Sequence, residues 1–172
     1  MYDKKRLYIV NDSSSDRVLL SDLFSEDYEI IQASNGKDAL DFLLSGEPHV
    51  DVMLLDVFMP GIDGFTVLAR LNERGLTGKF PVIATLPDDA TNDDVRRAYA
   101  GGAVETVQIS YISKLTLRSS LELFKGKKDI MARLETVNDR RDVMREINGA
   151  MMDRFSSVFY VNIATMEYYT CK

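Results

Sequence analysis

A chain of 172 residues holds one ordinary domain and a tail, and is too short for two domains of typical size. Its residues are 45% hydrophobic, enough for a sizeable core, which excludes wholesale disorder. A formal net charge of −6 argues against direct nucleic-acid binding, which needs a basic face against the phosphates.

The segment Met1 to Arg6 is polar and carries no apolar signal region. Leu7 to Val10 is a strand-like apolar run that ends in Asn11, Asp12 and Ser13. A helical pattern follows, with Val18, Leu19, Leu20, Leu23 and Phe24 on one broad face. Tyr28 to Gln32 reads as a second strand. Ser34, Asn35 and Gly36 then make a turn that caps a helix carrying Ala39, Leu40, Phe42 and Leu43. His49, the only histidine, rules out a multi-histidine metal site. Val50 to Leu55 is mostly apolar and runs into Asp56, and Pro60, Gly61 and Gly64 punctuate the loop beyond. A third helix holds Phe65, Val67, Leu68 and Leu71. Phe80 to Leu86 is the fourth strand, and the polar stretch Asp88 to Asp94 opens a helix that ends at Gly101 and Gly102. The fifth strand lies between Val104 and Ile112 with its register open, and a fifth helix starts over Leu115 to Phe124.

Five strand–helix units in succession predict an α/β fold. Strands that read as apolar runs are buried on both faces, and right-handed crossovers put helices on both sides of a parallel sheet. The expected architecture is doubly wound and flavodoxin-like, five parallel strands in the order 2-1-3-4-5, with a functional crevice at the strands' C-terminal ends. Residues 1–125 form this domain, 126–156 a helical linker, and 157–172 the start of a truncated second domain. In the linker Leu123, Ile130, Val137, Met144 and Met151 recur every seven residues, but Lys127, Arg141 and Asn148 interrupt the other seam position. The stripe suits either a coiled coil or an amphipathic helix packed on a neighbour. Ser157 to Tyr169 reads as a hairpin turning at Ala164 and Thr165. Apolar runs reach only about four residues, far short of a membrane span. The single cysteine, Cys171, allows no internal disulfide, and a cytoplasmic location is expected.

The chemistry sits at strand ends. Asp12 follows the first strand and Asp56 ends the third, and a parallel sheet with these strands adjacent brings their carboxylates together. Two clustered carboxylates repel unless a cation lies between them, and a hard divalent ion with oxygen ligands, such as Mg²⁺, is the physical solution. An aspartate beside such an ion can act as a nucleophile and form an acyl phosphate. A lone aspartate at a strand end is more often a cap, so the weight falls on the combination of apolar strand, Asp, Pro-Gly turn and second Asp. A flavin site is disfavoured, because Asp12 and Asp16 flank Ser13 to Ser15 and would repel a phosphate there.

Leu54-Leu55-Asp56-Val57-Phe58-Met59-Pro60-Gly61-Ile62-Asp63-Gly64-Phe65 resembles the phosphorylation-site segment of the receiver domain of two-component response regulators. The resemblance covers about residues 5 to 125, and Ser34-Asn35-Gly36-Lys37-Asp38-Ala39-Leu40 resembles that family's turn into its second helix. It implies that Asp56 is the phosphoacceptor, that Asp12 and the backbone carbonyl of Phe58 bind Mg²⁺, and that a sensor histidine kinase or phosphotransfer protein is the partner. It also implies a regulatory domain rather than an enzyme. The tail loosely resembles the opening of PAS-type sensor domains, which a diguanylate cyclase often follows.

Three positions depart from the family pattern. Asn11 stands where the first of two acids is usual, leaving it only a weaker metal-side role. Spacing from Pro81 puts Leu86 at the usual Thr or Ser position, so Thr85 contacts a phosphoryl group only if the strand shifts by one residue. Spacing from Gly102-Ala103 puts Ile109 at the usual Lys position. The alternative is that Tyr111-Ile112-Ser113-Lys114 follows a short insertion, making Lys114 the phosphoryl contact and Tyr111 the aromatic reporter. The competing reading is a degenerate receiver that serves as a non-phosphorylated interaction and dimerisation module. A homodimer is expected, and neither nucleic acid nor membrane as a direct partner.

Overall fold

The computed structural model describes residues 4–45, 49–136, 159–162 and 167–170. Strands β1 (Lys5–Val10), β2 (Tyr28–Ala33), β3 (Val52–Asp56), β4 (Val82–Leu86) and β5 (Glu105–Gln108) form one sheet in the order β2-β1-β3-β4-β5. Every neighbouring pair is parallel. This is the doubly wound arrangement predicted from the succession of apolar runs. Its helices are α1 (Ser14–Phe24), α2 (Gly36–Leu44), α3 (Gly64–Glu73), α4 (Asn92–Ala100) and α5 (Lys114–Thr136).

The central strands are buried because both faces are covered. On one face Leu55, Val57, Ala84 and Leu86 pack with Ala39, Leu40 and Leu43 of α2, Val67, Leu68 and Leu71 of α3, and Ala98 of α4. On the other, Leu7, Ile9, Val52, Leu54 and Ile83 pack with Leu20 and Phe24 of α1 and Leu117 of α5. The alternation of side chains along each strand assigns successive residues to these two cores. β5 is the exception: its four residues, Glu-Thr-Val-Gln, are all half-buried at the sheet edge.

Helix starts follow local capping chemistry. Ser13, Asn35 and Asp63 each accept a hydrogen bond from the backbone N–H three residues on, at the starts of α1, α2 and α3. Thr91 and Asp94 form a reciprocal capping box on α4. β5 is followed by a 3₁₀ turn, Ile109–Tyr111, before α5 begins at Lys114.

The chain divides into two compact units, Met1–Leu121 and Glu122–Lys172. α5 continues without a break through Lys125 to Thr136. In the second unit β6 (Phe159–Asn162) and β7 (Glu167–Thr170) pair antiparallel. The positions Val137, Met144 and Met151 of the seven-residue stripe lie outside the described residues, as do Ala164 and Thr165. Among the described residues no helix is long and apolar enough to cross a membrane.

Candidate functional site

β1 and β3 lie side by side, with Val10 level with Leu55. The residues that follow Val10 and Leu55 therefore leave the sheet together at its C-terminal edge. Asp56 is the last residue of β3 and is half-buried. The N–H of Phe58 donates to its Oδ1 at 2.9 Å, which folds the following loop back over the carboxylate. Gly61, at φ 79°, makes the turn that this loop needs. Gly64 opens α3 against the backbone of Asp56 and Val57, where a Cβ would overlap the Asp56 carbonyl. The loop after Asp56 is thus held against the start of α3 by close backbone packing at Gly64 that leaves no room for a side chain.

The Asp56 carboxyl is raised to about 6, first by burial and in smaller part by the charges of Asp12 and Asp16, against the Phe58 N–H, which lowers it. Asp12 and Asp56 follow adjacent strands, and the charge of Asp12 acts on the Asp56 carboxyl. Asp16, which the sequence does not single out, also acts on the Asp56 carboxyl through space. It lies in the first turn of α1, where Ser13 caps its N–H. Its signal in the sequence was the four-residue step from Asp12 across a helix start, which reads equally well as an ordinary N-terminal acid.

Asn11 is 2% exposed, and its Oδ1 accepts the Ser13 N–H at 2.8 Å. The amide is thereby committed to the start of α1. The Arg17 guanidinium donates to the carbonyls of Asn11 and Asp12 at 2.7 and 3.0 Å, fixing the loop backbone.

β4 runs without a shift, and Thr85 is level with Asp56 on β3. Neighbours in register point to the same face, so Thr85 and Asp56 share the side of Leu54 and Ile83. Thr85 is 2% exposed and its Oγ1 has no hydrogen-bond partner. Leu86 faces the opposite core and is buried.

Lys114 is not brought to Asp56. Its ammonium pairs with Glu26 at 2.9 Å and Asp27 at 3.0 Å, residues that immediately precede β2. They sit at the N-terminal edge of the parallel sheet, the end opposite Asp56. The 3₁₀ turn after β5 separates the strand end from the helix start, so the lysine at 114 does not take the family position that counting through an insertion gives it. Ile109 begins that turn and Tyr111 is 68% exposed. At the C-terminal edge the Ser110 hydroxyl donates to Asp88 at 2.6 Å, and the Gln108 amide donates to the Asp88 carbonyl at 3.2 Å. These bonds tie the loop after β4 to the loop after β5.

The Phe58 ring, partly exposed two residues after Asp56, meets Phe65 edge-on at 5.7 Å. The Arg97 guanidinium of α4 covers the Phe65 ring at 3.9 Å. An aromatic and cationic column therefore joins the loop after Asp56 to α3 and α4.

The residues suit a hard divalent cation. Two carboxylates repel each other across the site, and a buried hydroxyl beside them lacks a partner. Among the described residues no three acidic, histidine or cysteine side chains gather as an all-side-chain cage. Two carboxylates and a backbone carbonyl leave room for the waters that Mg²⁺ keeps.

Comparison with known proteins agrees with this arrangement. Residues 7–120 match the response regulator receiver domain. The chain is 34% identical over 99 residues to the response regulator PleD of Caulobacter vibrioides, covering 57% of this chain and 21% of that protein. It is 40% identical over 68 residues to sporulation initiation phosphotransferase F of Bacillus subtilis, covering 39% of this chain and 53% of that protein. The chain thus spans only part of these relatives. The receiver domain of a response regulator from Clostridium thermocellum superposes with a TM-score of 0.63 at 19% identity, covering 74% of this chain and 98% of that one. With its 2-1-3-4-5 sheet and its acidic strand ends, the chain belongs to the family of response regulator receiver domains.

Proposed function

We propose that Asp56 accepts a phosphoryl group from a histidine kinase or phosphotransfer protein and relays the signal to an output domain. The observation that carries this reading is the half-buried Asp56 carboxylate at the C-terminal edge, set against Asp12 and an unpartnered buried hydroxyl. A carboxyl near 6 is about nine-tenths ionised at pH 7, so the nucleophile is present. One Asp56 oxygen forms the bond to phosphorus as the bond from phosphorus to the donor breaks. Asp12, Asp56 and the Phe58 carbonyl would hold Mg²⁺, which neutralises charge on the phosphoryl oxygens. The Phe58 N–H fixes the orientation of the carboxylate. The added charge acts on a loop tied to α3 and α4 through Phe58, Phe65 and Arg97.

A second reading, an interaction module without phosphotransfer, is favoured by the position of Lys114, paired with Glu26 and Asp27. Intact mass after incubation with acetyl phosphate and Mg²⁺ separates the two. The acceptor reading expects one added phosphoryl group on the wild type and none on Asp56→Asn. A wild type that gains nothing leaves the interaction module. An Asp56→Asn chain that is still labelled moves the acceptor elsewhere.

A further inference from the structure

A cavity of about 320 Å³ opens beside the edge strand β2, walled by residues of β1, β2, α1 and α2. That volume lies at the small end of the range for ligand sites. Ile31, Phe42 and the Tyr8 ring, which meets Phe42 at 4.9 Å, make part of the wall apolar. Tyr8 is 1% exposed, yet its hydroxyl has no hydrogen-bond partner among the described residues. Phenylalanine would pack there as well, and a buried hydroxyl without a partner is costly, so this hydroxyl is left to the cavity that Tyr8 lines. Two opposite charges line the same cavity, and each is held by bonds to its own loop. Arg17 uses Nη1 for the carbonyls of Asn11 and Asp12, at 2.7 and 3.0 Å. That fixes the guanidinium and leaves Nε and Nη2 without an acceptor among the described residues, the edge that takes a carboxylate two bonds at a time. Asp38 accepts the Asn35 amide at Oδ2, at 2.8 Å, while its own N–H donates to Asn35 Oδ1 at 2.8 Å. The Asp38 Oδ1 carries no bond among the described residues.

We propose that this cavity binds a free α-amino acid with an apolar side chain. The ligand's carboxylate takes the Arg17 guanidinium and the Tyr8 hydroxyl, its ammonium takes Asp38, and its side chain packs on Phe42 and Ile31. A zwitterion is the match because a fixed cation and a fixed anion line one small cavity. A plain anion would meet the Asp38 charge, and a plain cation would meet Arg17. A ligand without an apolar body would leave the Phe42 and Ile31 surface in water. The acceptor reading gives none of these side chains a part in phosphoryl transfer, so the inference holds whether or not Asp56 is phosphorylated.

Calorimetry on the full chain, with leucine and phenylalanine as probes at millimolar concentrations, tests it. At least one of the two should bind. Its amide, which lacks the carboxylate, and its N-acetyl form, which lacks the ammonium, should each bind about tenfold more weakly or worse, the scale of a lost charge-assisted hydrogen bond. Asp38→Asn should cost about tenfold for the same reason. Tyr8→Phe, which keeps the ring on Phe42, should cost about fivefold, the scale of a neutral hydrogen bond. Asp41→Asn, which removes an exposed acid from the same helix, should stay within about twofold of wild type. Thermal unfolding establishes that each variant is folded, and the blocked analogues need no variant at all. Three results overturn the inference: neither probe binds, the blocked analogues bind as tightly as their parent, or Asp38→Asn and Tyr8→Phe both bind as tightly as wild type.

Discussion

Thr85 carries a hydroxyl that the fold itself does not use. Its Oγ1 is buried beside Asp56 and has no hydrogen-bond partner. A buried polar group left unsatisfied costs about 1–3 kcal/mol, so the position is destabilising unless something else engages it. Thr85→Val keeps the shape and removes the hydroxyl. It should stabilise the unphosphorylated chain by about 1 kcal/mol, read as a rise in the denaturant midpoint. If the hydroxyl contacts the phosphoryl group, the same variant should shorten the lifetime of the phosphorylated form, measured by intact mass over time. An unchanged lifetime would reduce Thr85 to a packing residue. Asp56 and Asp12 could be found in the sequence because their strands are apolar runs that end abruptly in acid. Asp16 could not, because a carboxylate in a helix's first turn has an ordinary capping explanation. Whether Thr85 or Leu86 faced the site depended on strand register, which only the pairing with β3 supplies.

At the level of elements, the first four strands were visible as apolar runs, whereas β5 is short, polar and half-buried at the sheet edge. A strand without a buried face leaves no pattern to fix its register, and that is why the lysine after it was hard to place. The 3₁₀ turn and the Glu26 and Asp27 contacts carry Lys114 to the far edge. Its ion pairs are exposed and contribute little to stability. Lys114→Ala should therefore leave phosphoryl addition to Asp56 unchanged, with little shift in thermal midpoint. A sharp loss of labelling would show that the lysine reaches the acceptor after all.

A second feature of this edge is pH-sensitive. The Tyr99 hydroxyl of α4 donates to Glu105 of β5 at 2.9 Å. Burial raises the Glu105 carboxyl above its usual value, while the bonds from Tyr99 and the Thr106 N–H lower it in part. A raised value means that the folded state binds the proton more tightly than the unfolded chain. The stabilising contribution is then full below the ordinary glutamate range and is lost as pH rises through the raised value. Glu105→Gln should accordingly be more stable than wild type at neutral pH and equal to it in acid. Denaturant melts across that range check the sign, and an advantage for Glu105→Gln confined to acid would refute it.

For the whole molecule, the remaining question is what the long α5 is for. It extends well past the last residue that matches the receiver family, running from Lys114 to Thr136 while the match ends at 120. A helix that outlasts its own domain core needs another surface to cover its apolar stripe. Leu123 and Ile130 lie on this helix seven residues apart, and Val137, Met144 and Met151 continue the same spacing in the sequence. A seven-residue apolar repeat matches the 3.5-residue period at which two helices meet along one seam. The second seam position is broken by Lys127, Arg141 and Asn148, which limits the affinity. We expect a homodimer of modest strength that depends on residues beyond 125. Sedimentation across a concentration series should show association for the full chain. It should show much weaker association for a chain ending at residue 125, which retains the 7–120 receiver match. Met144→Lys, which puts a charge on the stripe without shortening the chain, should act in the same direction. A full chain that stays monomeric at high micromolar concentration ends this proposal. A shortened chain that pairs just as tightly ends it too, because the contact would then belong to the receiver alone.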